Sequence, residues 1–220
     1  MDLDAGSRWS ALGQRSGPRS DERYTPSWLL EVVAEALGGI DLDPCADPLK
    51  RVPAKSHFTL ADDGLEQAWE GSVYINPPFS NTADWVRHLS LYWEAGKVSS
   101  AIALLPVMAL CNKSAQHLVK YNASGITLLE RILVFLNEDY KEMKVRLPFP
   151  CALVYLGTEP QHFLETTRSY GVPCLVSQSI LGRHRSTLCT YCGKPFLAQR
   201  STAKYCSSTC RIQMYRKMAK

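Results

Sequence analysis

The sequence predicts an α/β domain, a mostly parallel sheet with helices on both faces, followed by a small cysteine-held module. Three observations carry that expectation. Short runs rich in Val, Ile and Leu alternate with longer stretches whose apolar residues recur at helical spacing. Two of the short runs end in proline-rich segments, DLDPCADP from Asp41 and VYINPPFS from Val73, and ligands bind at the carboxyl ends of strands in such sheets. Last, Cys189, Cys192, Cys206 and Cys210 cluster in a tail that has no Asp or Glu from Thr166 onward.

Residues 1–22 are polar and rich in Gly, Ser and Arg, and read as a flexible arm. Thr25 as N-cap and Pro26 at the first helical position then open a helix. It carries Trp28, Leu29, Val32, Val33, Ala36 and Leu37 on one stripe and stops at Gly38-Gly39. Ile40 to Asp43 is a short strand that gives way to a rigid loop, 44–48. A strand near 57–60 precedes the acidic turn Asp62-Asp63-Gly64, and the next strand runs into Asn76. The helix expected over 83–95 places Trp85, Val86, Leu89 and Trp93 on a shared face. A strand over 99–106, a helix over 114–121, strands over 125–129, 132–136 and 151–156, and a helix over 161–170 complete a domain read as 23–178.

Composition bounds the function classes. Hydrophobic content of 45% over 220 residues suffices for one ordinary domain with an appendage. No stretch approaches the roughly 20 uncharged apolar residues of a membrane span, and the N-terminus lacks the apolar run of a signal peptide, so a soluble, cytoplasmic protein is expected. Cys45, Cys111, Cys151 and Cys174 are scattered among apolar residues and read as buried free thiols. The net charge of +4 is unevenly placed, and the basic tail reads either as a polyanion contact or as a solvated surface.

The remaining cysteines follow a metal-ligand spacing. Cys189-x2-Cys192 and Cys206-x3-Cys210 are separated by thirteen residues, a pattern that in a reducing compartment suits structural Zn²⁺ in a closed tetrahedral site. The competing reading is a pair of disulfides, which that compartment disfavours. Residues 186–220 would then be a treble-clef or zinc-ribbon-like module. Tyr191 to Gly193 make its knuckle, and Cys206 and Cys210 share one face of a helix that continues through Arg211, Tyr215, Arg216 and Lys217. Whether such a module touches DNA or protein stays open, with the charge favouring DNA.

The sharpest chemical signal is Asn76-Pro77-Pro78-Phe79. Proline fixes φ and withholds a donor, so Pro77-Pro78 ends the strand and presents Asn76 and Phe79 on stiff backbone. An exocyclic amine on a nucleobase is a poor nucleophile, because its lone pair is delocalised into the ring. Acceptors for both amino hydrogens localise that pair toward an incoming methyl group, and the Asn76 side-chain oxygen and the Pro77 carbonyl can be those two. Phe79 offers a stacking face to a base rotated out of its helix. The competing reading is a strand stop with an incidental amide and ring. A turn is likewise the plain reading of Asp43-Pro44 and of Asp62-Asp63-Gly64.

Taken in order, YTP at 24–26, DLDPCA at 41–46, DDGL at 62–65 with Trp69, NPPFSNTADWV at 76–86, LLP at 104–106, ERI at 130–132 and FPCALVYLG at 149–157 make a longer pattern. From Asp21 to about Leu156 the chain resembles the phage-type DNA N6-adenine methyltransferases (Dam-like). The resemblance implies a Rossmann-like S-adenosylmethionine-dependent methyltransferase fold, with S-adenosylmethionine as methyl donor and a flipped adenine in DNA as substrate. It places Thr25 and Pro26 in the lining of the cofactor pocket, Asp43 and Pro44 near the donor's amino-acid part, and Asp62 or Asp63 near its adenosine. Asn76, Pro77, Pro78 and Phe79 become the catalytic motif. The cell implied is a bacterium or a phage-infected host. One departure stands: where the broader methyltransferase pattern has a glycine-rich loop after the first strand, this chain has Pro44-Cys45-Ala46-Asp47-Pro48. The same tetrapeptide can also serve an RNA adenine or a protein glutamine, and a zinc-containing DNA-binding protein without turnover is the reading from a different class. Base contacts are expected within 107–148, with Arg131, Lys141, Lys144 and Arg146 as candidates.

Overall fold

The computed structural model describes residues 23–130, 133–137, 141, 150–177, 186–197 and 202–218. The arm at 1–22 and the candidates Arg131, Lys144 and Arg146 lie outside them. The first helix, α1, spans Ser27–Leu37 and ends at Gly38, whose φ of 68° is the left-handed conformation that glycine takes without strain. Strands β1 (Ile40–Ala46), β2 (Ala54–Thr59) and β3 (Gly71–Ile75) follow, then α2 (Thr82–Glu94) and β4 (Val98–Pro106). Next come α3 (Lys113–His117), extended by a π turn over Leu118–Asn122, then β5 (Gly125–Leu129), β6 (Cys151–Leu156), α4 (Pro160–Thr167) and β7 (Gly171–Leu175). The C-terminal part holds a hairpin, β8 (Ser186–Leu188) with β9 (Pro195–Leu197), and α5 (Ser208–Met218).

The main sheet has seven strands in the order β2-β1-β3-β4-β6-β5-β7. Strands β1 to β5 run in one direction and β6 and β7 run against them, so the sheet is mostly parallel. Alternation along the strands assigns the two faces. Tyr74, Ile102, Leu104, Leu153 and Tyr155 point to the side covered by α1 and by Phe163 of α4. Val73, Ile75, Ala101, Ala103, Leu105, Val154 and Leu156 point to the side covered by α2 and α3, where Trp69, Trp85 and Tyr92 stack. Continuous burial, with successive residues turned to opposite faces, is what a central strand covered by helices requires.

Several local expectations are corrected. Thr25 does not cap α1: Pro26 occupies the cap position, no side chain caps the helix, and the Thr25 hydroxyl turns to the sheet instead. Trp28 leaves the buried stripe, 43% exposed, and stacks on Tyr170. The strand from Ile40 does not stop at Asp43 but continues to Ala46, with a register shift between Asp43 and Ala46 that accommodates Pro44, which has no N–H to give β2. The segment expected as a strand over 132–136 contributes, among the described residues, a bridge between Leu136 and Tyr24. β7 was not anticipated. Cys111 and Cys174 are exposed rather than buried, whereas Cys151 is buried. Among the described residues, no helix is long and apolar enough to cross a membrane.

Candidate active site

Chain order sets the position of the site. β1 leads to β2 on one side while β3 lies on its other side, so the crevice between the carboxyl ends of β1 and β3 is a topological switch point. Asp43 and Pro44 come to that crevice from β1, and Asn76 to Phe79 from the end of β3. The acidic turn arrives from β2: a Cβ on Gly64 would meet the Pro44 carbonyl oxygen, so only glycine lets this turn close over the end of β1. Cys45 accompanies Asp43, its N–H donating to Asp43 Oδ1 at 3.2 Å.

The Asn76 amide is held in one orientation. Its Nδ2 donates to the Arg23 carbonyl at 2.7 Å and to Thr25 Oγ1 at 3.2 Å. Its Oδ1 is buried and has no hydrogen-bond partner among the described residues, a costly state for a carbonyl oxygen. Pro78 is differently engaged, its carbonyl accepting from Asn81 N at 3.0 Å and from Thr82 Oγ1. Phe79 packs edge-on against Phe135, and the Arg23 guanidinium lies 4.9 Å from its ring centroid. A cavity of about 340 Å³ opens beside it, lined by Phe79, Ser80, Thr82, Ala83, Pro106, Met108, Ala109 and Asn112.

The carboxylates of the crevice differ. Burial pushes the Asp43 carboxyl up to about 7, against the N–H of Cys45, which favours the ionised form. Asp62 is held below the usual carboxylate range by the backbone and hydroxyl of Thr59, both at 2.8 Å, so it stabilises its own turn. Asp63 takes the left-handed conformation with φ of 48° at the tip of that turn. Sequence reasoning missed Arg23, whose carbonyl reaches Asn76, and Tyr74, whose hydroxyl lies 2.8 Å from Thr25 Oγ1. For Tyr74 a signal existed: it stands two residues before Asn76, on the same face by strand alternation.

The C-terminal cysteines come together. The Sγ atoms of Cys189, Cys192, Cys206 and Cys210 all lie within 4.8 Å of one another, with Cys192 to Cys206 at 3.7 Å and Cys206 to Cys210 at 3.5 Å. Tetrahedral Zn–S bonds of about 2.3 Å set S···S separations near 3.8 Å, so the cluster fits one zinc ion. Gly193, with φ of 72°, turns the knuckle, and its N–H donates to the Cys189 carbonyl. Cys206 precedes the helix rather than sharing its face, because Ser207 Oγ accepts from Cys210 N–H and α5 begins at Ser208. β8 and β9 pack on α2, and Lys194 Nζ reaches Glu66 Oε2 of the main domain at 2.7 Å. A concavity of about 520 Å³ in the module is lined by Thr202, Ala203, Lys204, Tyr205, Ser207, Ser208, Arg211 and Tyr215.

A mostly parallel α/β sheet with an Asn-Pro-Pro-Phe segment at its switch point defines the methyltransferase class. The sequence model of the DNA N-6-adenine-methyltransferase (Dam) family matches residues 14–169, and the chain belongs to that family. Comparison with curated proteins and with solved structures finds no match to either. DNA N6-adenine methylation is accordingly its general activity.

Proposed function

We propose that the protein is a site-specific enzyme that moves a methyl group from S-adenosylmethionine to the N6 amine of an adenine flipped out of DNA. The observation that carries the reading is the buried Oδ1 of Asn76, unpartnered among the described residues and fixed by its own Nδ2 bonds at the switch-point crevice. An adenine amine donates one hydrogen there and the other to the Pro77 carbonyl, which localises its lone pair for attack. S-adenosylmethionine would supply the electrophilic methyl group and leave as S-adenosylhomocysteine, and the methylated, cationic amine would shed one proton to water. Phe79 stacks on the base, beside the cavity at Pro106 and Met108. On the cofactor side, Pro26 and the backbone of Thr25 form one wall, Asp43 and Pro44 meet the amino-acid part, and the turn at Asp62 and Asp63 covers the adenosine.

The two parts divide the work. Residues 23–178 hold the chemistry, and residues 186–220 form a zinc module that adds affinity for DNA, with the Lys204 and Arg211 concavity as its phosphate-facing surface. Expression in a host that lacks adenine methylation, followed by sequencing that reads modified bases, tests the main reading. N6-methyladenine in a defined sequence context is expected. Unmodified DNA despite folded, soluble protein would overturn it.

A further inference from the structure

Thr25 was expected to cap a helix or line a cofactor pocket, yet its hydroxyl is committed elsewhere. Buried to 5% exposure, it stands between the catalytic amide and a tyrosine under the sheet, with Asn76 Nδ2 at 3.2 Å and Tyr74 Oη at 2.8 Å. We infer that Thr25, backed by Tyr74 and joined by the Arg23 carbonyl, is the positioning group that aims Asn76 Oδ1 at the substrate amine. The inference rests on the adenine-methylating reading of the site.

An amide can turn over about its terminal bond, and the two orientations have opposite chemistry here. With Oδ1 toward the base the site accepts a hydrogen from the amine. With Nδ2 toward the base, donor faces donor and the lone pair gains nothing. Asn76 Nδ2 has two protons, and both are accounted for, one by the Arg23 carbonyl at 2.7 Å and one by Thr25 Oγ1. Turning the amide over would set Oδ1 against the Arg23 carbonyl, acceptor against acceptor. Tyr74 fixes the other side of the hydroxyl: its ring is fully buried in the core and its OH pairs with Thr25 whichever of the two donates. In either arrangement Thr25 Oγ1 keeps a lone pair for Asn76. The supporting backbone is itself anchored, since Tyr24 exchanges hydrogen bonds with Leu136 in both directions, at 3.0 and 2.9 Å. Preorganisation of this kind costs nothing at the moment of reaction.

The test compares Thr25→Val, which keeps the shape and removes the acceptor, with Thr25→Ser, which keeps the hydroxyl, and with Tyr74→Phe. Thr25→Val is expected to lower kcat about tenfold, the size of one lost hydrogen bond, with KM for DNA and the calorimetric Kd for S-adenosylhomocysteine changing by less than about twofold. Thr25→Ser should recover most of the loss, and Tyr74→Phe should show a smaller fall in kcat. The side-chain amide resonances of Asn76, assigned by their absence from Asn76→Asp, should move in Thr25→Val and Tyr74→Phe and stay in place in Thr25→Ser. That readout needs no turnover, so it separates failure of the positioning role from failure of the methylation reading. Unchanged kcat with unmoved resonances would overturn the inference, as would weakened S-adenosylhomocysteine binding with kcat intact. Should melting curves show Thr25→Val unfolded, Tyr74→Phe decides alone by the same two outcomes.

Discussion

An acceptor that is already in place before the base arrives acts on rate, not on assembly. Asn76→Ala is therefore expected to lower turnover by about 100- to 1000-fold, the usual cost of losing one preorganised hydrogen-bonding group, while affinity for S-adenosylhomocysteine stays near wild type. Single-turnover methylation beside calorimetry measures both, and retention of more than about a tenth of wild-type turnover would remove the acceptor role. Asp43 makes a second residue-scale prediction. Burial holds its carboxyl near 7 against 3.8 in the unfolded chain, with the Cys45 N–H, Asp47 and the Tyr74 hydroxyl as its polar and titratable surroundings. A raised carboxyl pKa means the folded state prefers the protonated acid. Stability then falls as pH rises from about 4 to about 7 and levels off above, and Asp43→Asn should flatten that slope. If Asp43 receives the donor's ammonium, binding ionises it, so S-adenosylhomocysteine binds more tightly at about pH 8 than at about pH 6 and releases a proton at the lower pH. Equal affinities at both, in wild type and Asp43→Asn alike, would return Asp43 to a turn-forming role.

At the scale of elements, the cysteine module is expected to depend on a bound metal in a way the main domain is not. The strands β8 and β9 are three residues each and α5 carries no acidic residue in its first turn, so little apart from the four thiolates holds them together. Chelation, or Cys210→Ser, is expected to melt the hairpin and α5 while the α/β core keeps its cooperative transition, as read by zinc content and by hydrogen exchange resolved along the chain. Loss of exchange protection throughout 23–177 would show instead that the module supports the core. Which elements were legible in the sequence follows the same physics. α1 and α2 were readable because their burial follows the helical period, and β3, β4 and β6 because they are short apolar runs, each element with Gly or Pro near an end. β7 escaped because Pro173 argues against a strand, and the sheet tolerates it only because β7 is an edge. The reversed direction of β6 escaped too: a central run of buried apolar residues, Cys151 to Leu156, looks the same whichever way it runs. At the site, NPPF was legible as rigid backbone carrying an amide and a ring. The partners of that amide were not, because Arg23 contributes a backbone carbonyl, which no side-chain pattern reports.

For the molecule as a whole, the question is what a basic module gains from being fixed to the catalytic domain. After Glu165 the chain has no carboxylate side chain, so the module's cations lack acidic partners of their own. Lys194 finds one on the main domain, Glu66, and β8 and β9 pack on α2 of the same domain. Lys194 is thereby spent on docking. Lys204 and Arg211 remain, on the walls of one concavity with Tyr205 and Tyr215, and Arg216 and Lys217 occupy the last turn of α5. Cations held in fixed positions release counterions from DNA without a further ordering cost. Each phosphate contact adds about 0.9 to the magnitude of the slope of log affinity against log salt for duplex DNA. Deleting residues 186–220 should therefore weaken binding most at low salt and flatten the slope. Lys204→Ala and Arg211→Ala should each reduce it by about one contact's worth. Turnover at saturating DNA should survive the deletion, because Asn76 to Phe79 and the β1 end of the crevice are held by the main sheet. The comparison is between full-length and truncated protein across a salt series, with zinc content measured on the same samples. Equal affinities and parallel slopes would leave the docked module a stabilising or protein-binding element, and a truncated protein that binds DNA normally but no longer turns over would place part of the catalytic machinery beyond the main sheet.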